Sequence, residues 1–449
     1  MNHPTFLFAL SSLAATAALA FPEVTSCTMA QPSGSRTVTI EYTLSEPEAV
    51  VTLDIQTNCV SGGSTTWASI GGEFVCCAQG AVWRKVTVAD QDGNGKYAIA
   101  WDSRAWHDPQ GNGFVLDGVS QKARAVVTAW ALDNTPDYMV VDLTASSSPD
   151  SQKYYVSADF LAGGLLANDL YRTSTIVMRK ITAKDVEWTM GSTTAETVGR
   201  STNEVTHLVT LPHNYYIGVF EVTQAQWETV KGSWAGTFVN AACREGRPVE
   251  TVSFTAIRNT SPAANPDAAS FLGIARSRTG LDFDIPSEAQ WEFACRAGNG
   301  DMKWGSGARM TNQSSEWDAG LTAMARYHAT NSDPDNASGS SDLTKGTAKV
   351  GSYKPNSWGL YDMHGNVAEL CLDWFEDDIT AYGGAVNVSV ANQANTISGK
   401  AGSSRVARGG SWGWGYTSPW GAKRPASRRT WKENHYESGF RVVCGAGLE

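Results

Sequence analysis

Four residues in one short stretch have the types and spacing of a hard-cation loop. Asp362 and Glu369 place carboxylates on either side of Gly365-Asn366, a pair of residue types that tolerate positive φ and so mark a tight turn. With the backbone carbonyls of Gly365 and Val367, these carboxylates make an all-oxygen set of the kind calcium prefers. On residue types alone, a turn flanked by surface carboxylates is the commoner reading. The same stretch, 356–374, is dense in apolar side chains: Trp358, Leu360, Tyr361, Met363, Val367, Leu370 and Trp374 are too many to leave in water. The turn must therefore be held by a core.

Other chemistries find little support. The seven histidines show no ligand spacing, and there is no Cys-x-x-Cys, no Gly-x-Ser-x-Gly and no phosphate loop with Lys. Asp90-Gln-Asp-Gly-Asn-Gly95 matches the first half of an EF-hand loop, but Trp101 stands where the bidentate Glu belongs, so a Gly-rich hairpin turn is expected instead. Net charge is −10, from 35 basic and 45 acidic residues without a basic cluster, which argues against nucleic acid as a partner. Eight cysteines, four in each half, make disulfides plausible but allow three pairings per half; the adjacent Cys76 and Cys77 are expected to take different partners.

The elements that position these residues fall into two parts. Residues 1–20 read as a signal peptide cleaved near Ala20, because the uncharged run is short for a membrane span and ends in small residues; no later run approaches about 18 apolar residues. An exported chain without a membrane span is expected. Over 21–145, period-two alternation such as Val38, Ile40, Tyr42 and Leu44 predicts about six or seven short strands, an immunoglobulin-like or fibronectin-III-like sandwich ending with Tyr138 to Leu143. Residues 146–167, with Ser-Ser-Ser-Pro and Ala-Gly-Gly, read as a linker. Beyond it, 168–449 form a second domain in which Thr223 caps a short helix bearing Trp227. Ser287 and Gln290 form a capping box that puts Trp291 and Cys295 on one helix face.

Four segments carry a resemblance: Phe220-Glu-Val-Thr-Gln-Ala-Gln-Trp227, Asp284 to Gly298, Asn356 to Trp374, and Arg408-Gly-Gly-Ser-Trp412 with Gly439-Phe-Arg-Val-Val-Cys444. In this order they resemble the formylglycine-generating enzyme, or sulfatase-modifying factor, family. The resemblance implies an α+β, C-type-lectin-like fold with sparse regular structure. It also implies one calcium held by Asp362, Gly365, Val367 and Glu369, and a bridge from Cys295 to a cysteine near Phe440-Arg441, here Cys444; Cys243 and Cys371 would make the other. Active members hold copper with two cysteines placed three and eight residues after the Ser of Gly-Gly-Ser. Counted from Ser411, those positions are Trp414 and Pro419, so copper is not expected and no catalytic residue is assigned. Trp304 and Ser411 match pocket residues of the family. With Trp412, Trp414, Tyr416, Trp420, Trp431 and Arg424, they would line a cleft for a glycan, peptide or protein ligand. A non-catalytic binding protein is the reading this supports. The alternatives are a formylglycine-generating oxidoreductase or accessory factor acting on sulfatase cysteines, and a diversified lectin-like receptor.

Overall fold

In the N-terminal part, alternation becomes two facing sheets. A computed structural model describes residues 21–61, 64–103, 123–145, 151–194, 200–237, 244–258, 265–300, 303–310, 318–327, 346–375, 386–387, 404–413, 425–430 and 434–447. One sheet runs in the order Val24–Ala30, Thr37–Leu44, Tyr97–Asp102, Gln79–Gly80. In the other, Ala49–Ser61 pairs with Ser64–Ser69, Lys85–Val86 and Ala123–Trp130. Every second residue points inward, so Val38, Ile40, Tyr42, Ile99 and Trp101 of the first sheet meet Val51, Leu53, Ile55 and Val127 of the second in a single core. The Asp90 loop is a turn: Asp90 pairs with Arg84 at 2.7 Å, and Asp92 Oδ1 accepts the Asn94 and Lys96 N–H groups at 2.8 Å each.

The boundary differs from the one expected. Tyr138–Asp142, assigned above to the sandwich, and Gln152–Tyr155, inside the supposed linker, are strands of a five-stranded sheet of the second domain, with Thr175–Ile181, Tyr215–Gly218 and Val443–Gly445. Both faces of this sheet are covered. Tyr138, Val140 and Val177 point into the sandwich core, while Met139, Val141, Ile176 and Met178 point into the core of the second domain. Polar Ser-rich composition concealed this arrangement, because Phe160 and Leu161, just beyond the second strand, are buried.

The second domain is mixed, with short helices and small sheets. Thr223 caps helix Gln224–Lys231 and Ser287 caps helix Glu288–Arg296, each by the reciprocal capping box. All nine residues of the latter helix are buried, so it serves as an internal strut. Beside it a four-stranded sheet runs in the order Arg429–Thr430, Arg405–Arg408, Ala368–Trp374, Ser438–Gly439. A smaller sheet joins Glu187–Met190, His207–Thr210 and Val386–Asn387. Among the described residues, no helix is long and apolar enough to cross a membrane.

Candidate functional site

The 356–374 stretch folds as a fixed turn leading into a central strand. Asn356 sets its entry: the side-chain oxygen accepts the N–H groups of Trp358 and Leu360, and Nδ2 donates to Ala294 O at 2.8 Å. The turn itself takes positive φ at Asp362 (58°), Gly365 (91°) and Asn366 (60°). A Cβ at Gly365 would collide with the Arg326 carbonyl, so both backbone freedom and space require glycine there. Asn366 then ties the turn to its surroundings. Its N–H donates to Arg326 O, its Oδ1 accepts Ala348 N–H, and its carbonyl accepts Trp412 N–H at 2.8 Å.

Behind the turn lies a buried charge cluster. Glu369 accepts from Arg441 on both oxygens, at 2.7 and 2.9 Å, and from Trp291 Nε1 at 2.7 Å. Arg441 also donates to the carbonyls of Gly218 and Tyr361. Glu221 accepts Asn366 Nδ2 at 2.6 Å and Val367 N–H at 3.0 Å. Asp362 accepts Gly351 N–H on Oδ2, while its Oδ1 is buried without a hydrogen-bond partner. Burial, added to by the charge of Glu369, pushes the Asp362 carboxyl up to about 6. Burial and the charges of Asp362 and Glu369 hold Glu221 well above the usual carboxylate range. Three carboxyl groups thus share the field of Arg441, with Arg172 acting more weakly on Asp362; fully ionised, they would outnumber the two arginines, and the upward shifts of Asp362 and Glu221 are the response to burial and to that crowding.

That excess, together with the unpartnered Asp362 oxygen, fits a hard cation. The set expected from the sequence is Asp362, the carbonyls of Gly365 and Val367, and Glu369, and of these Glu369 has both oxygens engaged by Arg441. Among the described residues, no group of three or more His, Cys, Asp and Glu side chains is arranged to hold a metal. Glu221 and Arg441 were not named as site residues from the sequence, although both stand inside quoted motifs, Phe220-Glu-Val-Thr and Gly439-Phe-Arg. Their proximity to the turn depends on chain separations of 145 and 72 residues.

The described members of the expected cleft, Trp304, Ser411 and Trp412, are buried. Trp304 is fully buried, donates from Nε1 to Asp318 Oδ1 at 2.9 Å, and meets the His364 ring edge-on at 5.3 Å. It packs with Met310, Leu321, Met324 and Tyr327 as core. Ser411 and Trp412 are buried as well, and Trp412 Nε1 donates to Tyr436 O at 3.2 Å. The exposed aromatic next to them is Tyr436, stacked on His435 at 4.4 Å, a pair the sequence reading did not name. Trp414, Tyr416, Pro419, Trp420, Arg424 and Trp431 lie outside the described residues.

With that geometry established, comparison with known proteins identifies the domain. The model of the sulfatase-modifying factor enzyme 1-like domain matches residues 178–446. The chain belongs to this family. A formylglycine-generating enzyme of Thermomonospora curvata is 32% identical over 130 residues, which is 28% of this chain and 37% of that protein. The chaperone protein LppX of Paenibacillus barcinonensis is 26% identical over 189 residues, 36% of this chain and 62% of that protein. The chain therefore matches less than two thirds of the length of either. Among solved structures, Treponema denticola variable protein 1 aligns with a TM-score of 0.43 and 24% identity, over 61% of this chain and 96% of its own.

Within the sulfatase-modifying-factor domain, the cysteine arrangement implied by resemblance is not formed. Cys295, Cys371 and Cys444 are all free and buried. Cys295 faces Met363 O at 3.7 Å and the His364 ring, whereas Cys444 lies in a different core cluster with its Sγ 3.9 Å from Met178 Sδ. Burial raises all three thiols, so each behaves as a small apolar side chain. Cys243 lies outside the described residues.

Proposed function

We propose that this chain is an exported, non-catalytic member of the sulfatase-modifying-factor family that binds a ligand through its C-terminal domain. The observation that carries this is the segment from Arg408 to Arg441, which holds no cysteine and has Trp414 and Pro419 at the family's copper-binding positions. Soft Cu(I) needs thiolate ligands. The buried, neutral thiols of Cys295, Cys371 and Cys444 offer no replacement. A chaperone protein, LppX, among the relatives favours the same direction. A glycan, peptide or protein ligand suits the aromatic and Arg-rich composition of the 412–431 segment, and the N-terminal sandwich, immunoglobulin- or fibronectin-III-like in this reading, presents the domain.

The test is copper(I) binding and conversion of cysteine to formylglycine on a sulfatase-motif peptide, assayed with the purified mature chain. Neither copper binding nor product is expected. Turnover would sink the reading and require a metal site that the sequence does not display.

The same proposal gives the central loop a structural calcium, held by Asp362, Glu369 and the carbonyls of Gly365 and Val367. Its chemistry there is charge neutralisation: it would relieve the repulsion among Asp362, Glu369 and Glu221. At calcium about 100 times its Kd, the native state gains about 2.7 kcal/mol, read as a rise in thermal midpoint that chelation reverses. Asp362→Ala should abolish the calcium response while leaving the chain folded. A midpoint that ignores calcium in the wild-type chain rules the ion out.

A further inference from the structure

The adjacent thiols Cys76 and Cys77 lie on the sandwich, far in sequence from the family domain, and nothing in the proposed function uses them. Sequence reading expected them to bond to different partners, but both are free, Cys77 exposed and Cys76 half-exposed. Of the six cysteines whose state is described, these are the two that stand side by side. Cys27, the other accessible thiol among the described residues, donates singly toward Ala125 O.

The backbone under the pair is fixed. Cys76 closes helix Gly72–Val75, its N–H donating to Gly72 O at 2.9 Å, and the next residue but one, Ala78, donates to Val75 O at 3.0 Å and is itself buried. Gly72 is pressed against Asp159 and Phe160 so closely that a Cβ would clash with them, which anchors the helix from the other side. Each sulfur currently makes only weak contacts with carbonyls: Cys76 Sγ with Glu73 O at 3.3 Å, Cys77 Sγ with Phe74 O at 3.5 Å and Asp102 O at 3.7 Å. Such contacts are readily exchanged for stronger bonds.

A direct bond between the two sulfurs is poorly matched to this geometry. Neighbouring Cα atoms on a trans peptide stand about 3.8 Å apart, inside the roughly 4.4–6.8 Å range of relaxed disulfides. A single bridging atom between the sulfurs lengthens that span and removes the strain. Burial and the neighbouring Cys77 keep Cys76 in its protonated form at neutral pH, so the pair presents two thiols to a centre that condenses with them.

We propose that Cys76 and Cys77 form a dithiol site that chelates a soft, thiophilic centre, the two sulfurs leaving their separate carbonyl contacts to converge on it, with a trivalent arsenical as its model ligand. In the reaction with phenylarsine oxide, two As–S bonds form, the As–O bond breaks, and both thiol protons leave with the oxygen as one water. Arsenic remains trivalent, so no oxidant or reductant is needed. Because the second As–S bond closes intramolecularly on a fixed backbone, chelation should exceed single-thiol binding by about 100-fold or more.

The experiment is a titration of the reduced, full mature chain with phenylarsine oxide, followed by intact mass spectrometry. One adduct per chain, with loss of one water, is expected; it should resist excess monothiol and be stripped by a small dithiol. Cys77→Ser and, separately, Cys76→Ser should each weaken binding by about 100-fold or more, with circular dichroism unchanged, while Cys27→Ser should bind as the wild type does. An adduct that survives in Cys77→Ser, that yields to monothiol, or that appears only as the chain unfolds overturns the proposal. So does a thiol count showing either cysteine already bonded in the purified protein.

Discussion

The two halves of this molecule are stabilised by different means. Among the described residues of the sandwich no charged side chain is buried; its interior is Val, Ile, Leu, Ala, Tyr and Trp, with Thr52 and Ser103 as polar exceptions. The second domain buries Glu221, Glu288, Glu292, Asp362 and Glu369 with Arg296, Arg408, Arg428 and Arg441. These pair across the helix Glu288–Arg296 and the strand Ala368–Trp374. Arg408 bonds Glu292 while lying 3.5 Å from Glu288, and Arg428 grips Glu288 with both arms of its guanidinium. Where strands are regular, the backbone satisfies itself and an apolar core suffices. Where backbone is irregular, Arg fills the gap by donating to both carboxylates and orphan carbonyls, as Arg441 does with Glu369, Gly218 and Tyr361.

The largest effect that tests this contrast is Arg441→Leu. It removes the main counter-charge of three buried carboxylates and should cost about 3–5 kcal/mol in denaturant unfolding. The double variant Arg441→Leu with Glu369→Leu should cost less than Arg441→Leu alone, because the penalty comes from the stranded charge more than from the lost bond. A loss below about 1 kcal/mol for the single variant would place this pair with surface bridges and erase the contrast.

In the sandwich the matching perturbation is a cavity. Leu53→Ala should cost about 2–5 kcal/mol, and that cost should not change between pH 4 and 8, since no titrating group is buried beside it. The charged half behaves differently. Although burial alone would raise it, the charges of Arg428 and Arg408 hold Glu288 below its ordinary value. A depressed native pKa means the unfolded chain binds the proton more readily, so the stabilisation is present above about pH 4.5 and is lost as pH falls through the native value. Glu288→Gln should cost about 1.5–3 kcal/mol at pH 7 and flatten the acid limb of a stability-versus-pH curve. Leu53→Ala should leave that limb as it is.

The same difference decides how much could be read from sequence. Val38, Ile40 and Tyr42 announce their burial by local alternation, and the Thr223 and Ser287 caps by residues three positions away, so these elements were legible. The buried pairs of the second domain span 72 residues for Glu369 with Arg441, at the candidate site, 116 for Glu292 with Arg408 and 140 for Glu288 with Arg428, and no periodicity carries such a distance. Trp304 shows the complementary limit. Resemblance named it as a pocket residue, but a motif alone does not distinguish a pocket wall from a core residue whose indole donates to Asp318. The misplaced boundary has a third cause: the strand Gln152–Tyr155 follows a Ser-rich stretch, and its partner Tyr138–Asp142 is tied on its other edge to Thr175–Ile181, which lies beyond the whole presumed linker.

The smallest effect probes where local and long-range order meet. Ser287 accepts Gln290 N–H at 3.2 Å and its own N–H donates to Gln290 Oε1 at 2.9 Å. Removing the hydroxyl by Ser287→Ala should cost about 1 kcal/mol if the helix frays only at its first turn. That first turn, however, carries Glu288, whose backbone N–H is held by Asp373 Oδ2 at 2.6 Å and whose carboxylate is held by Arg428. Asp373 lies on the strand Ala368–Trp374 and Arg428 just before the strand Arg429–Thr430, so these separate anchors should keep the turn in place without the cap, and the measured cost should stay near 1 kcal/mol. A cost of about 2–3 kcal/mol, together with a weakened acid limb, would mean that the cap positions Glu288 for its arginines; the charged half would then depend on local helix chemistry more than its long-range pairings suggest.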